Sequence, residues 1–223
     1  MPSMIRQDDV YILDLGDTEN RFNPDWIHSV NTLLDQVEND TGPKSLVTTA
    51  TGKFYSNGLD LDWMLANEDQ AERVLLDAHE LLARMLTMPV VTVAAIQGHA
   101  FAAGAMFSLA HDFRVMRRDR GYWCLPEADL NLPFTDGMSA LIHSRLTPQV
   151  AHEAMVTARR YGGYDAAGSA IVDRAAAAEE VRDMAVAWAR HEVDKTGDTL
   201  RTIKTRLYAS VLEALRQPHA SPA

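Results

Sequence analysis

Short strand-like runs alternate with amphipathic helical segments along the first two thirds of the chain, and this alternation limits the possible folds more than any other feature. Residues 10–15, 45–49 and 90–96 are rich in β-branched and other apolar side chains. Residues 26–37 and 69–86 carry apolar side chains at helical spacing, and Asn, Gly and Pro residues separate the segments. The pattern predicts an α/β fold with crossover connections, either a doubly wound sheet or a spiral.

The composition shifts from residue 147 onward to alanine, arginine and glutamate. Pro148 stands where a helix can begin, and residues 175–190 and 199–215 have helical periodicity. The sequence therefore predicts a core formed by residues 1–146 and an entirely helical C-terminal region formed by residues 147–223.

Charge and cysteine content exclude several classes of function. The 223 residues include 31 acidic and 21 basic side chains, for a formal net charge of -10, which repels nucleic acids and anionic membranes. The single cysteine, Cys124, cannot form an internal disulfide, and no apolar run is long enough to span a bilayer. The N-terminal residues do not resemble a signal peptide. We expect a cytoplasmic protein without nucleic-acid or membrane partners.

Two turns built from small residues precede predicted helices. The first is Ser56-Asn57-Gly58, and the second spans residues 98–104 and includes Ala103. Small side chains leave backbone N–H groups uncovered, and two such groups at helix starts can converge on one carbonyl oxygen to form an oxyanion hole. Small residues at these positions are equally suited to tight packing of a helix on a sheet.

Residues 53–61 (KFYSNGLDL) and residues 89–133 together resemble the enoyl-CoA hydratase/isomerase (crotonase) family, and within it the Δ3,Δ2-enoyl-CoA isomerases. The resemblance implies a crotonase-type spiral of β-β-α turns that assembles as a homotrimer or a dimer of trimers. It also implies an acyl-CoA thioester substrate and no cofactor. By the same resemblance, the N–H groups of Leu59 and Ala103 are the oxyanion donors, and the residues of the first turn, Ser56, Asn57 and Gly58, lie against the substrate.

A single glutamate, Glu127, follows the second turn within Leu125-Pro126-Glu127-Ala128-Asp129, at the end of a predicted strand at residues 121–125. An isolated glutamate is usually no more than a solvated surface group. The resemblance implies that Glu127 is the general acid and base. Asp129 lies two residues further on and is expected to point to the opposite side.

Met106 occupies the position at which hydratases of the family carry a second glutamate. Addition of water requires one group that activates the water and another that handles the proton at the neighbouring carbon. Movement of a double bond requires only one carboxylate. The resemblance therefore favours conversion of 3-enoyl-CoA to trans-2-enoyl-CoA by Glu127, with Met106 as an apolar neighbour that excludes water. A methionine on a helix is also an ordinary core residue.

Four further side chains are candidates for substrate contact. Asp136 can face the pocket by resemblance to the isomerases, although Thr135-Asp136-Gly137 also suits a turn or a helix cap, which we favour. Lys53 and Lys204 are candidates for the phosphates of coenzyme A, as is Arg206, because an acidic protein needs local positive charge to hold them. Solvated surface positions are the alternative for all three basic residues.

Other functions remain open at this point. A hydratase, a dienoyl-CoA isomerase or an acyl-CoA hydrolase would require Asp136 to supply the missing carboxylate, and a non-catalytic acyl-CoA-binding subunit would require none. His99, His111 and His143 lack the spacing of metal ligands, so no metal site is predicted. Cys124, beside Trp123 in an apolar segment, is expected to be a buried and unreactive thiol.

Overall fold

A computed structural model describes residues 1–217 of the protein. Its strands are β1 (Ser3–Gln7), β2 (Val10–Asp14), β3 (Ser45–Thr49), β4 (Phe54–Ser56), β5 (Val91–Ile96), β6 (His99–Phe101), β7 (Phe113–Arg117), β8 (Trp123–Cys124) and β9 (Arg174–Ala176). Its helices are α1 (Pro24–Asn39), α2 (Leu61–Ala66), α3 (Glu68–Leu86), α4 (Ala103–Leu109), α5 (Glu127–Leu130), α6 (Asp136–Arg145), α7 (Pro148–Thr157), α8 (Gly163–Gly168), α9 (Val181–His191), α10 (Asp198–Leu207) and α11 (Ala209–Arg216).

The strands form two sheets. The larger has the order β1-β2-β3-β5-β7-β9, with β1 antiparallel to β2 and the other pairs parallel. The smaller has the order β4-β6-β8 and is entirely parallel. The chain passes from a strand of the larger sheet to a strand of the smaller sheet and then to a helix, as in β3-β4-α2, β5-β6-α4 and β7-β8-α5. This repeated path is the crotonase-type spiral, and it confirms the predicted fold.

Alternating side chains of the larger sheet enter two apolar layers. Tyr11 and Leu13 belong to the main core with α1, α3, α4 and α6, whereas Val10 and Ile12 pack with α9 on the opposite face. Parallel sheets are normally covered on both faces in this way. The main core lies under the two small-residue turns and supports them.

Several helix starts agree with their local sequence. The side chain of Asn23 accepts a hydrogen bond from the N–H of Trp26 at 3.0 Å, and Pro24 follows at the first helical position of α1. Asp60 accepts from the N–H of Trp63 at the start of α2, at 3.3 Å. These side chains satisfy donors that would otherwise lack partners at the helix ends.

The prediction of an entirely helical region after residue 147 is wrong in one respect. Residues 174–176 form β9, which pairs with β7 and extends the larger sheet. Helical propensity of the alanines in this segment is overridden because the strand completes the edge of the sheet. The predicted helix at 199–215 is two helices that meet at Tyr208. The last six residues of the predicted region lie outside the described residues.

Besides β9, four strands were not predicted: β1, β4, β6 and β7. β4 and β6 have only three residues each, too few for an alternating pattern to be recognised, and β7 was not separated from its neighbours. Within residues 1–217, no helix has the length and hydropathy needed to cross a bilayer.

Candidate active site

A cavity of about 510 Å³ opens beside the two small-residue turns. Its walls come from the turns, from α2, α3 and α6, and from the segment that contains α5. Its lining residues are Arg21, Asn57, Leu59, Leu61, Asp62, Met64, Leu75, Phe101, Ala102, Ala103, Pro126, Glu127, Leu130, Leu132, Pro133, Thr135 and Met138. Most of these side chains are apolar, as is usual for a pocket that binds a small molecule.

Leu59, directly after the first turn, lines this cavity. The Ser56 hydroxyl accepts from the N–H of Gly58 at 3.2 Å and donates to the carbonyl of Asn20 at 2.8 Å, which holds the turn from behind. Phe22 bonds to both sides of Leu59, through the Gly58 carbonyl at 2.8 Å and the Asp60 N–H at 3.1 Å. The N–H of Leu59 itself has no acceptor among residues 1–217.

The N–H of Ala103, in the second turn, also lacks a hydrogen-bond acceptor among the described residues. Ala102 donates to the carbonyl of Cys124 at 3.1 Å and has φ 51° and ψ -128°, a conformation that glycine adopts far more readily than alanine. Ala103 then begins α4, so its N–H has no partner within the helix, and the described residues offer it no other.

The two turns are packed against each other. A β-carbon added to Gly104 would lie 2.5 Å from the carbonyl oxygen of Ser56, and one added to Gly58 would lie 2.9 Å from the nitrogen of Ala103. Only glycine permits such an approach at both positions. Leu59 and Ala103, whose N–H groups have no partners among residues 1–217, therefore line the cavity from adjacent backbone segments.

Glu127 is the first residue of α5 and lies at the wall of the cavity. Only 7% of the residue is exposed, and its Oε2 atom has no hydrogen-bond partner among the described residues. Burial raises the pKa of Glu127 to about 7. A carboxyl group that titrates near neutral pH can both accept and return a proton, as a general acid and base must.

Arg21 and Asp62 supply the other charges of the lining. Arg21 bonds to Asp62 at 2.6 Å and also pairs with Glu19 and Asp60. The side chain of Asp62 is 83% exposed, so this ion pair stands at the solvent side of the cavity. Among the described lining residues, Glu127 is therefore the only buried carboxylate.

The structure brings most of the predicted site together. Leu59, Ala103, Glu127 and Asn57 all line the cavity. Ser56 and Gly58 do not line it but shape the first turn. Asp136 lies exposed in the first turn of α6, and the cap of that helix is the hydroxyl of Thr135, which accepts from the N–H of Met138 at 3.1 Å.

Two predicted contacts need correction. Met106 in α4 is fully buried in the main core and is not part of the cavity lining, because its position on the helix directs it toward the core. Lys204 is only 4% exposed, and its ammonium group donates to Asp112 at 2.6 Å and to the Val90 carbonyl at 2.8 Å. It is thus not available to a phosphate. Lys53 remains exposed, with its Nζ 5.2 Å from the centre of the Phe54 ring.

Sequence reasoning missed several lining residues, chiefly Arg21, Thr135 and the apolar side chains of Met64, Leu75 and Met138. Apolar residues of amphipathic helices give no local signal that distinguishes a cavity wall from a core. Arg21 lies between β2 and α1 and becomes part of the site only through its pairing with Asp62.

Within residues 1–217 no group of three or more His, Cys, Asp or Glu side chains is arranged to hold a metal ion. Cys124 is buried as predicted, its thiol lies 3.2 Å from the carbonyl of Ala158, and burial raises its pKa to about 11.

The fold and this site define an enzyme of the crotonase superfamily. Residues 7–221 match the sequence model of the enoyl-CoA hydratase/isomerase family, and the chain belongs to that family. It is 36% identical over 219 residues to enoyl-CoA delta isomerase 3 of Arabidopsis thaliana, an alignment that covers 93% of this chain and 92% of that protein.

Solved structures are similar over nearly the whole chain. A probable enoyl-CoA hydratase from Mycobacterium tuberculosis has a TM-score of 0.89 and 27% identity, with 96% of this chain and 91% of the other covered. The human mitochondrial delta3-delta2-enoyl-CoA isomerase has a TM-score of 0.87 and 19% identity, with 96% and 85% covered. The second similarity concerns the fold alone.

Proposed function

We propose that the protein is a Δ3,Δ2-enoyl-CoA isomerase that converts 3-enoyl-CoA to trans-2-enoyl-CoA. The observation that carries this proposal is the buried carboxyl group of Glu127, whose Oε2 has no hydrogen-bond partner among residues 1–217, on a cavity also lined by Leu59 and Ala103, whose N–H groups have no acceptor within the same residues. Relatives named as enoyl-CoA delta isomerases support it.

The reaction begins with Glu127 ionised. Its carboxylate removes a proton from C2 of the substrate, the electron pair moves into the C1–C2 bond, and negative charge develops on the thioester oxygen. The N–H groups of Leu59 and Ala103 stabilise this charge. The protonated Glu127 then delivers the same proton to C4, the double bond forms between C2 and C3, and the carboxylate is regenerated.

Hydration is the less favoured alternative because the second carboxylate is missing. Met106 is buried in the core, Asp136 is exposed outside the lining, and Asp62 is engaged by Arg21. No other carboxylate among the described lining residues can activate a water molecule. Hydrolase and dienoyl-CoA isomerase activities are less favoured for the same reason, because they too would require a second carboxylate in the lining.

The apolar walls of the cavity suit an acyl chain, and exposed Lys53 is our candidate for a coenzyme A phosphate. A trimer or dimer of trimers and a cytoplasmic location stay predictions from the sequence.

Two substrates separate the alternatives. Purified protein should convert 3-hexenoyl-CoA to 2-hexenoyl-CoA, measured by thioester absorbance and chromatography, and should hydrate crotonyl-CoA at most slowly. Glu127→Gln should lower kcat by at least about a thousandfold while acyl-CoA binding, measured by calorimetry, persists. The matched control is Asp129→Asn, an exposed carboxylate on the same short helix, which should retain full activity. Undiminished turnover by Glu127→Gln, or hydration as the main activity, would refute the proposal.

A further inference from the structure

A buried relay of hydrogen bonds connects three side chains behind the site: Tyr55, Thr48 and His111. The Tyr55 hydroxyl lies 2.7 Å from Oγ1 of Thr48, and that oxygen lies 2.8 Å from Nε2 of His111. Nδ1 of His111 lies 2.8 Å from the carbonyl oxygen of Phe107. All three side chains are essentially inaccessible to solvent. None of them lines the cavity, so none has a direct role in the proton transfer.

The carbonyl at one end fixes the direction of every bond in the relay. A carbonyl oxygen can only accept, so Nδ1 of His111 carries the proton, and Nε2 of the neutral ring must accept. Thr48 therefore donates to His111, and Tyr55 donates to Thr48. Burial lowers the pKa of His111 to about 3, and the nearby cations Arg114, Lys204 and Arg145 act in the same direction, so the ring stays neutral.

The two ends of the relay attach to the two turns of the oxyanion hole. Tyr55 lies in β4 directly before Ser56, which holds the first turn through its hydroxyl. Phe107 and Ala103 belong to α4, which has only seven residues, so a shift of Phe107 moves the N–H of Ala103 with it. Thr48 in β3 lies between them in the larger sheet.

Ring contacts extend the same connection to Leu59. Phe107 packs edge-on against Phe22 at 5.9 Å and also contacts the ring of Tyr55 at 6.4 Å. Phe22 is the residue whose backbone bonds on both sides of Leu59. Phe107 thus lies at the junction of the relay, the helix that carries one donor and the residue that holds the other.

We propose that the Tyr55–Thr48–His111 relay is a positioning device that holds the N–H groups of Leu59 and Ala103 at the separation needed for one oxyanion. A fully satisfied buried network has a single low-energy geometry, and this property makes it suitable for such a role. The inference rests on the proposed function, because the oxyanion belongs to that reaction.

Three variants test the relay. Thr48→Val keeps the shape and removes the hydroxyl, Thr48→Ser keeps the hydroxyl, and Tyr55→Phe removes only the first donor. We expect Thr48→Val and Tyr55→Phe to lower kcat for 3-hexenoyl-CoA by about tenfold or more with KM changed less than about twofold, since the donors act mainly on the transition state. Thr48→Ser should recover most of the rate. The matched control is Tyr11→Phe. The Tyr11 hydroxyl bonds to Asp40 away from the site, so its removal should not affect kcat.

Backbone hydrogen exchange provides a measurement independent of activity. Peptides covering residues 54–61 and 101–111 should exchange faster in Thr48→Val and Tyr55→Phe than in wild type, and at the wild-type rate in Thr48→Ser and Tyr11→Phe. Wild-type kcat in Thr48→Val would overturn the relay and leave the isomerase intact if Glu127→Gln is inactive. If the wild type does not isomerise 3-enoyl-CoA, the proposed function fails. Independently of activity, unchanged hydrogen exchange in Thr48→Val and Tyr55→Phe would overturn the relay.

Discussion

Gly58 and Ala103 lie too close together across the two turns to admit a side chain: a β-carbon on Gly58 would lie 2.9 Å from the nitrogen of Ala103. Gly58 also has φ 82°, which disfavours any side chain. Gly58→Ala should therefore force the turns apart and lower kcat by about a hundredfold. Gly42→Ala is the control, since Gly42 shares a positive φ of 88° but has nothing within 4 Å of the added carbon. Steady-state kinetics of both variants test this prediction, and equal kcat values would contradict it.

Ala102 is an alanine at a position whose backbone conformation, φ 51° and ψ -128°, favours glycine, so its backbone is strained. Ala102→Gly should raise the free energy of unfolding by roughly 0.5 to 1 kcal/mol, since relief of strain exceeds the entropy cost of glycine. Ala158→Gly is a suitable comparison because Ala158, with φ 51° and ψ 29°, occupies the left-handed helical region, where alanine is less strained. Urea denaturation should show the larger gain at position 102.

The pH dependence of the reaction follows from Glu127. Because burial raises the pKa of Glu127 to about 7 and the ionised form begins the reaction, kcat/KM should rise with pH and level off above an inflection near that value. A rate profile measured between about pH 5.5 and 8.5 should show one ascending limb. Asp129→Asn should leave the inflection in place, and a flat profile would exclude Glu127 as the base.

The same shift predicts a pH-dependent stability. Between the unfolded pKa of 4.5 and the folded pKa of about 7, the native state binds more protons than the unfolded state, so the free energy of unfolding falls as pH rises. Glu127→Gln removes this loss. Urea denaturation gives the free energy of unfolding of the variant minus that of the wild type. This difference should be larger at pH 8 than at pH 4 by up to about 3 kcal/mol. A pH-independent difference would show that the carboxyl group is not desolvated.

The ammonium group of Lys204 stabilises the fold rather than a ligand. Lys204→Met leaves the carboxylate of Asp112 without its buried cation and the Val90 carbonyl without its donor, so it should cost about 2 to 3 kcal/mol of unfolding free energy. Arg73→Met removes an exposed pair with Asp77 and should change stability by less than about 0.5 kcal/mol. Thermal denaturation of both variants would reveal whether the two pairs differ in this way.

Local patterns were sufficient for much of the fold. β3 has the predicted bounds, and α1 contains the whole helical segment predicted at residues 26–37. The wrongly predicted segments were those whose secondary structure depends on contacts with residues far away in the chain. Arg174 to Ala176 became a strand because β7 offers an open edge, and Tyr208 divides a pattern that otherwise predicts one helix.

The sequence by itself determined which chemistry is available: two turns of small residues, one glutamate in a Leu-Pro-Glu segment, and a methionine where a second carboxylate would stand. Those are properties of residue type and order. Only the tertiary structure decided that Glu127 is buried with its Oε2 unpaired among residues 1–217, that Met106 lies in the core, and that Lys204 is paired with Asp112. Burial and pairing depend on contacts between residues far apart in the chain, and no local pattern encodes those distances.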